Sequence, residues 1–202
     1  MARALPDRQR AWDYLLNVLS RQAYTAAELR TKLTRRQVDD ALVEELLARL
    51  VELRLVDDVS YAEQYVAARQ GARGRLALRA ELRRKGVAEV IVDDRVGRLG
   101  EEQQLQAALG LLRKHAWRYR PKEGESVGAE GERAEGERRG IGAAGVETAG
   151  VETVDVGAIA DPEYEARQRL RRSEAKAKSF LARRGFAPDV VVAAVERLGW
   201  FR

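Results

Sequence analysis

The side chains best suited to chemistry in this sequence are basic ones, and they gather in three runs along the chain. Guanidinium groups grip phosphate and carboxylate groups through two parallel hydrogen bonds, so such runs could bind a polyanion. A charge run is also typical of an ordinary solvated helix face, which is the competing interpretation for any single run. The candidate anion-binding residues are Arg30, Lys32, Arg35, Arg36, Arg69, Arg73, Arg75, Arg79, Arg83, Arg84, Lys85, Arg171, Arg172, Lys176, Arg183 and Arg184.

The position of these runs matters more than their charge. Each run is predicted to lie on the second helix of a three-helix unit and on the turn that follows it. Recurrence at one structural position makes an ordinary solvated face a weaker interpretation. A strip of cations repeated at the spacing of the units is what a polyanion or a regular filament would require.

No other residues form a convincing catalytic or metal-binding set. Three Asp pairs, at 39–40, 57–58 and 93–94, are better explained by helix starts and by an outer helix face. His115 is the only histidine, is predicted to lie on the surface, and has no cysteine to join in ligating a metal. The sequence lacks phosphate-binding glycine loops and the usual hydrolase motifs, so we predict that the protein is not an enzyme and has no cofactor.

Aromatic residues near helix ends offer a second kind of contact with a nucleic acid. Trp117, Trp200 and Phe201 could stack on nucleobases. Packing at the end of a helix is the more frequent role of such residues, and it is the interpretation that we favour from sequence.

The composition limits where the protein acts and what it binds. The chain has 202 residues, 45% of them hydrophobic, and a formal net charge of +5. No apolar run approaches the length of a membrane span, and no signal peptide is visible, so we expect a cytoplasmic monomer without a membrane partner. A charge of +5 is in itself only a weak indication of a negatively charged partner.

Residues 121–160 differ from the rest of the chain. They are rich in glycine, lack aromatic residues, and contain two tandem duplications, AEGER at 129–138 and AGVET at 144–153. Such a segment buries too little apolar surface to offset the entropy of ordering, so a flexible insertion is predicted. It carries nine acidic and four basic residues, a net charge of −5, so the remainder of the chain carries +10. It could be an inert spacer or an acidic tether that competes with phosphates.

The remaining sequence predicts an all-α fold of nine helices, because apolar residues recur with helical spacing and proline is scarce. Capping boxes are predicted at Thr25 and at Ser60, and Asp161 is predicted to cap a helix that begins at Pro162. The predicted helices cover about 6–19, 25–33, 37–53, 60–70, 75–85, 88–99, 101–119, 161–184 and 188–199.

An internal repeat organises these helices into three units. Residues 82–100 align with 181–199 at a constant offset of 99, and 28–33 form a looser match to 81–86. We therefore predict three tandem three-helix repeats at 1–56, 57–100 and 101–202, with the insertion interrupting the third. Because each unit is small, neighbouring repeats should pack serially into an elongated body whose curvature the sequence leaves open.

Several short motifs, in this order, resemble the RecX family of bacterial regulators of the RecA recombinase. They are LRLVDDVSYAEQYVAAR at 53–69, ELRRKG at 81–86 and LARRGF at 181–186. Tyr61 stands where the family often has phenylalanine, and the insertion at 121–160 has no counterpart in the family pattern. The resemblance covers nearly the whole chain apart from the insertion and the first few residues.

The resemblance implies a protein that binds along the groove of the RecA filament on single-stranded DNA. It would act as a negative regulator that limits strand exchange, ATP hydrolysis and the coprotease activity of the SOS response. It makes the basic residues named above candidates for filament or DNA binding, and single- or double-stranded DNA a further candidate partner.

Two other functions stay open on the sequence alone. One is a direct DNA-binding protein, for example a transcriptional regulator that uses helix-turn-helix-like pairs such as residues 26–53. The other is a helical scaffold with no nucleic-acid role, in which the arginine content reflects only codon bias.

Overall fold

A computed structural model describes residues 7–121 and 162–201, which form ten α-helices and no β-strand. The prediction of an all-α fold is therefore confirmed. The predicted insertion, apart from Pro121, and the predicted cap Asp161 lie outside the described residues. The helices are α1 (Arg8–Leu19), α2 (Ala26–Thr34), α3 (Asp40–Glu52), α4 (Asp58–Arg69), α5 (Arg75–Arg84), α6 (Glu89–Gly97), α7 (Glu101–Lys114), α8 (Ala116–Tyr119), α9 (Pro162–Arg183) and α10 (Pro188–Leu198).

The helices enclose three separate hydrophobic clusters, which supports the predicted series of three-helix repeats. Leu29, Leu33 and Leu50 are buried in the first cluster, among α1, α2 and α3. Leu78 and Leu82 are buried in the second, among α4, α5 and α6. The third cluster contains buried residues from α7, α8, α9 and α10. Each repeat therefore buries its own apolar faces. The middle helix contributes two leucines one turn apart in the first two repeats, and Ala177 and Leu181 in the third.

One predicted helix is broken in the structure. The stretch 101–119 was expected to be continuous, but α7 ends at Lys114 and His115 adopts φ −109° and ψ 23° before the short helix α8. The break turns the chain so that Tyr119 is buried in the third cluster, with its ring centroid 4.9 Å from that of Phe180. Burial of this large aromatic side chain compensates for the lost helical hydrogen bonds.

The capping box at Thr25 is confirmed. The Thr25 hydroxyl oxygen accepts a hydrogen bond from the Glu28 amide at 3.1 Å, and the Glu28 carboxylate accepts one from the Thr25 amide at 3.3 Å. Two amides at the start of α2 are satisfied in this way, which fixes the direction in which the helix leaves the preceding loop.

The capping box predicted at Ser60 is wrong, because Asp57 caps α4 instead. The Asp57 carboxylate accepts hydrogen bonds from the amides of Val59 and Ser60, at 2.8 and 3.2 Å, and from the Ser60 hydroxyl at 2.7 Å. A charged acceptor with three donors outcompetes a neutral hydroxyl further along the chain. The hydrogen bonds from Ser60 also hold the pKa of Asp57 below its ordinary value.

Each repeat docks onto the previous one through the turn that follows its second helix. Gly86 ends α5 with φ 75°, and a Cβ at this position would lie 2.2 Å from the Cβ of Ala27 in the first turn of α2. Gly185 ends α9 with φ 77°, and its Cβ would lie 2.3 Å from the backbone nitrogen of Ala77 in α5. Glycine is therefore required at both turns by backbone conformation and by space.

Hydrogen bonds between backbones close the junction between the second and third repeats. The Gly74 amide donates to the Arg184 carbonyl at 2.8 Å, and the Leu76 amide donates to the Gly185 carbonyl at 3.0 Å. The first amides of α5 have no partner within their own helix, so the neighbouring repeat supplies their acceptors.

We expect Gly185→Ala to destabilise the protein far more than Gly199→Ala. Both glycines have positive φ, and an alanine held in this left-handed conformation lowers the free energy of unfolding by about 1–2 kcal/mol. At position 185 the added Cβ also clashes with Ala77, which raises the loss by roughly 1–3 kcal/mol. At position 199 no atom lies within 4 Å of the Cβ position, so no clash is added. Urea unfolding of the two variants measures the difference, and equal losses would contradict the close contact.

We expect Asp57→Ala to lower the free energy of unfolding by about 1 kcal/mol at neutral pH, the usual value of an aspartate cap. Because the pKa of Asp57 is lowered on folding, its charge stabilises the native state above about pH 4. The gap between wild type and variant should narrow as the pH falls through the lowered pKa. Urea titrations from neutral to acidic pH test this, and a gap independent of pH would exclude a charged cap.

Candidate nucleic-acid interface

The turn after the second helix has the same hydrogen bonding in all three repeats. The amides of Val38, Val87 and Phe186 donate to the carbonyls of Leu33, Leu82 and Leu181 at 3.3, 3.2 and 3.3 Å. The residue before each of these has positive φ, namely Gln37, Gly86 and Gly185. These equivalences place the first repeat 49 residues before the second. The predicted match of 28–33 to 81–86 was therefore misregistered.

This register reveals a pair of cations at the same place in every repeat. The pair is Arg35 and Arg36 in the first repeat, Arg84 and Lys85 in the second, and Arg183 and Arg184 in the third. Cations are favoured at the carboxyl end of a helix, which accounts for their stability there. We call Arg35, Arg84 and Arg183 the outer cations and Arg36, Lys85 and Arg184 the inner cations.

The inner cations lie over aromatic rings. The guanidinium of Arg36 is 3.9 Å from the ring centroid of Tyr14, and that of Arg184 is 4.6 Å from the ring centroid of Phe180. The ammonium of Lys85 is 5.5 Å from the ring centroid of Tyr61. These contacts hold each inner cation against its own repeat.

Lys85 also links the first two repeats. Its ammonium donates to Glu28 at 2.8 Å, and its carbonyl accepts a hydrogen bond from the Thr25 hydroxyl at 2.5 Å. Burial disfavours the charge on Lys85, but hydrogen bonds to Glu28 and Tyr61 outweigh this effect and raise its pKa. Lys85, one of the predicted binding residues, is thus held by contacts within the protein itself.

Four further candidates form ion pairs inside the repeats. Arg30 pairs with Glu44 at 2.6 Å, Arg73 with Glu81 at 3.3 Å, and Arg79 with Asp93 at 3.0 Å. Arg83 pairs with Glu89, and the hydrogen bond from Arg83 holds the pKa of Glu89 below its usual value. Each of these pairs joins two helices or a helix and its neighbouring loop, so part of the basic charge is neutralised locally.

The outer cations are different. Arg35, Arg84 and Arg183 are exposed, and none forms an ion pair with a carboxylate of residues 7–121 or 162–201. Arg183 donates one hydrogen bond to the Ser179 hydroxyl at 2.8 Å. One unneutralised cation per repeat is therefore presented at a fixed structural position.

Four of the predicted residues are brought together across the junction of the second and third repeats. Arg69 and Arg73 face Arg183 and Arg184 around a depression that also contains Phe180. A second depression shares Phe180 and Arg183 with the first and adds Lys176 and Arg118. We call the two together the basic cleft. The sequence analysis missed Arg118, whose only signal was its place next to Trp117.

The remaining predicted residues do not join this cleft. Lys32 lies 4.5 Å from the ring centroid of Tyr24 in the first repeat. The Arg75 amide donates to the buried Gln104 side chain at 2.9 Å, so Arg75 lies at the repeat junction. Arg171 and Arg172 are exposed on α9 and form no ion pair with a described carboxylate.

The carboxylate pairs take structural roles. Asp39 and Asp57 cap helices, and Asp58 accepts a hydrogen bond from the Ala26 amide at 3.0 Å, across the first repeat junction. Asp93 and Asp94 form ion pairs with arginines. Among the described residues, no group of three or more His, Cys, Asp or Glu side chains could hold a metal ion. No helix in the same part of the chain is long and apolar enough to cross a membrane.

The aromatic residues divide into two kinds. Trp200 and Phe201 pack against the third hydrophobic cluster, as favoured from the sequence. His115 is half-buried, with its ring centroid 5.4 Å from that of Phe180, instead of lying free on the surface. Trp117 is 74% exposed, so the packing role favoured for it is wrong.

Comparison with known proteins gives consistent matches. The family model "RecX, first three-helix domain" matches residues 11–50, and "RecX, second three-helix domain" matches residues 57–94. A regulatory protein RecX of Mycobacterium sp. (strain JLS) is 40% identical over 111 residues, 54% of this chain and 61% of the relative. One of Chlorobium phaeobacteroides (strain BS1) is 37% identical over 90 residues, 44% of this chain and 60% of the relative. The matches thus span about 60% of these relatives' length.

Solved structures support the fold. The crystal structure of RecX from Lactobacillus salivarius superimposes with a TM-score of 0.64 and 19% identity, covering 95% of this chain and 96% of that one. A second RecX crystal structure superimposes with a TM-score of 0.61 and 22% identity, covering 94% of this chain and 71% of that one. At these identities the likeness shows the shared helical architecture.

We expect the double variant Arg79→Glu/Arg83→Glu to unfold at a lower urea concentration than wild type. The new carboxylates would face Asp93 and Glu89, their present partners, and replace attraction by repulsion. Added salt should recover part of the loss, because it screens exposed charges. Arg35→Glu/Arg84→Glu is the control with an equal change in net charge, since neither arginine pairs with a described carboxylate, and an equal loss in that variant would contradict the assignment.

Proposed function

Because this chain belongs to the RecX family, we propose that it is a negative regulator of the RecA recombinase. It binds along the groove of the filament that the recombinase forms on single-stranded DNA. It acts by occupying that groove, through which duplex DNA must enter, and in this way limits strand exchange. ATP hydrolysis and the coprotease activity of the filament fall for the same reason.

The observation that carries this proposal is the recurrence of an unpaired outer cation in every repeat. Arg35, Arg84 and Arg183 follow the same turn, which has the same backbone hydrogen bonds each time. A protein that binds one isolated site gains nothing from such recurrence. A filament presents the same surface at regular intervals, so three cations at equivalent positions in successive repeats can each meet an equivalent group.

Multivalency explains how modest contacts would suffice. Once one repeat is bound, the next is held close to its own site on the filament, so its binding becomes intramolecular. In this proposal the three repeats, 1–56, 57–100 and 101–202, are successive contact units, and the protein acts as a monomer in the cytoplasm. No catalytic group is needed, because binding alone blocks the groove.

We expect the triple variant Arg35→Glu/Arg84→Glu/Arg183→Glu to inhibit RecA strand exchange at least tenfold less strongly than wild type. A factor of ten corresponds to about 1.4 kcal/mol of binding free energy. The reason is that all three repeats lose their unpaired cation, and reversed charges are repelled by the same groups. The measurement is a strand-exchange assay with a parallel ATPase assay, with co-sedimentation on RecA–single-stranded-DNA filaments.

The matched control is Arg21→Glu/Arg113→Glu/Lys114→Glu. It changes the net charge equally, and its residues lie at or just after the ends of first helices and have no ion pair with a described carboxylate. Inhibition by the control should stay near that of wild type. Equal loss in both variants would mean that only net charge matters. Undiminished inhibition by the first variant would refute the role of the outer cations.

The alternative function, direct binding of DNA, leads to a different prediction. A regulator that reads duplex sequence should prefer one site over others by several kcal/mol. A filament binder should show no such preference, and its inhibition of RecA should not depend on the DNA sequence used. A competition experiment between duplexes of unrelated sequence separates the two.

A further inference from the structure

The two junctions between repeats are held by different kinds of contact. At the second junction, backbone amides donate to backbone carbonyls, from Gly74 to Arg184 at 2.8 Å and from Leu76 to Gly185 at 3.0 Å. Among the described residues, each hydrogen bond across the first junction instead involves a side chain. Hydrogen bonds between two backbones fix the position of one repeat on the other, whereas a side chain can change rotamer while the backbones move apart.

Three polar contacts cross the first junction, and two of them depend on a full charge. The Thr25 hydroxyl donates to the Lys85 carbonyl at 2.5 Å, and the Asp58 carboxylate accepts a hydrogen bond from the Ala26 amide at 3.0 Å. The Lys85 ammonium donates to the Glu28 carboxylate at 2.8 Å. The side chains of Lys85 and Glu28 are 29% and 28% exposed, so water can reach this ion pair and compete for both charges.

The ion pair can open without unfolding a helix, because the two oxygens of Glu28 have separate partners. Oε2 accepts the hydrogen bond from the Thr25 amide that completes the capping box of α2, whereas Oε1 accepts the hydrogen bond from Lys85. Departure of the ammonium therefore leaves the start of α2 capped.

Apolar packing at the first junction is incomplete. A groove of about 490 Å³ lies there, with Val51 of the first repeat and Val59 and Ile91 of the second among its lining residues. Val51 is 53% exposed and Val59 is 36% exposed, so apolar surface of both repeats remains open to solvent. At the second junction, by contrast, the Gln104 side chain that accepts from the Arg75 amide is only 2% exposed. The first repeat thus has room to move that the third repeat lacks.

We propose that the first junction is a hinge that the ion pair between Lys85 and Glu28 holds closed, whereas the second and third repeats move as one body. The contact of Gly86 with Ala27 is the pivot, because it limits how closely the two repeats approach and contains no hydrogen bond between backbones. A lysine suits such a latch, since its ammonium is carried on a flexible four-carbon stem. Opening changes the width of the groove between Val51 and Val59.

The hinge has a consequence for the outer cations. Rotation of the first repeat displaces Arg35 relative to Arg84, while Arg84 and Arg183 keep their mutual distance. On a filament the first contact unit would therefore adjust its position after the other two have bound. This consequence rests on the proposed function, whereas the hinge itself does not.

The test measures distances in the full chain by double electron–electron resonance. The sequence has no cysteine, so spin labels can be attached in pairs at Ala48→Cys, Ala67→Cys and Val192→Cys, three exposed positions on α3, α4 and α10. The 48/67 pair spans the first junction and the 67/192 pair spans the second. For Glu28→Gln, which keeps a capping-box residue, we expect the 48/67 distance distribution to broaden and its mean to shift. The 67/192 distribution should stay as in wild type.

Two further variants make the result specific to the ion pair. Lys85→Gln should broaden the 48/67 distribution as Glu28→Gln does, and the double variant should broaden it no further, because both substitutions remove the same contact. Glu44→Gln is the matched control, since it makes the same change in net charge as Glu28→Gln but breaks the pair with Arg30 inside the first repeat. It should leave the 48/67 distribution unchanged.

The proposal is overturned if the 48/67 distribution keeps its wild-type width in both Glu28→Gln and Lys85→Gln. It is also overturned if Glu44→Gln broadens that distribution equally, or if the 67/192 distribution broadens together with it. The experiment contains no recombinase, so its outcome is separate from the test of the proposed function. A rigid first junction with lost inhibition in the triple variant would refute the hinge alone, and a mobile junction with undiminished inhibition would refute the outer cations alone.

Discussion

The rest of the structure depends on a close backbone contact that is made at each junction between repeats. A left-handed glycine after one second helix is pressed against the first turn of the second helix before it, at Gly86 on Ala27 and at Gly185 on Ala77. No side chain fits between these backbones, so the distance between neighbouring second helices is fixed. Each repeat is too small to resist much distortion alone, and at both junctions this contact joins the first turn of one second helix to the turn that follows the next second helix.

This constraint also positions the charge. In the second and third repeats the outer and inner cations come immediately before this glycine, so the docking contact also fixes where these cations lie relative to the preceding repeat. Inner cations are held by aromatic rings, and Lys85 in addition by Glu28 of the previous repeat. The outer cations are exposed and form no ion pair with a carboxylate of the described residues. Docking between repeats and binding of a partner therefore use adjacent residues without competing for the same side chains.

The sequence predicted the helices and their repetition well, because apolar spacing and glycines are local signals. It could not separate Asp57 from Ser60 as the cap of α4, since both residue types are favoured at the cap position and only the hydrogen-bond geometry decides. It misplaced the first repeat because Gln37 occupies the left-handed position that glycine marks in the other two. Gln37 is exposed, so a side chain has room at this turn and a glycine is not required there. Pairing of Arg79 and Arg83 depends on α6, which approaches α5 only in the folded chain.

Net charge is consequently a poor measure of what such a protein can bind. Arg30, Arg73, Arg79 and Arg83 count fully toward the total of +5, yet each is engaged with a carboxylate of the same chain. An attractive field reaches a partner mainly from cations without such a neighbour, and several of these lie at the repeated turn, on the exposed face of α9 and in the basic cleft. In the proposed function the two classes have separable consequences, because reversal of a paired arginine would act on folding, whereas reversal of an outer cation would act on association. Affinity can thus change at the repeated turn while the docking contacts, and with them the spacing of the repeats, stay as they are.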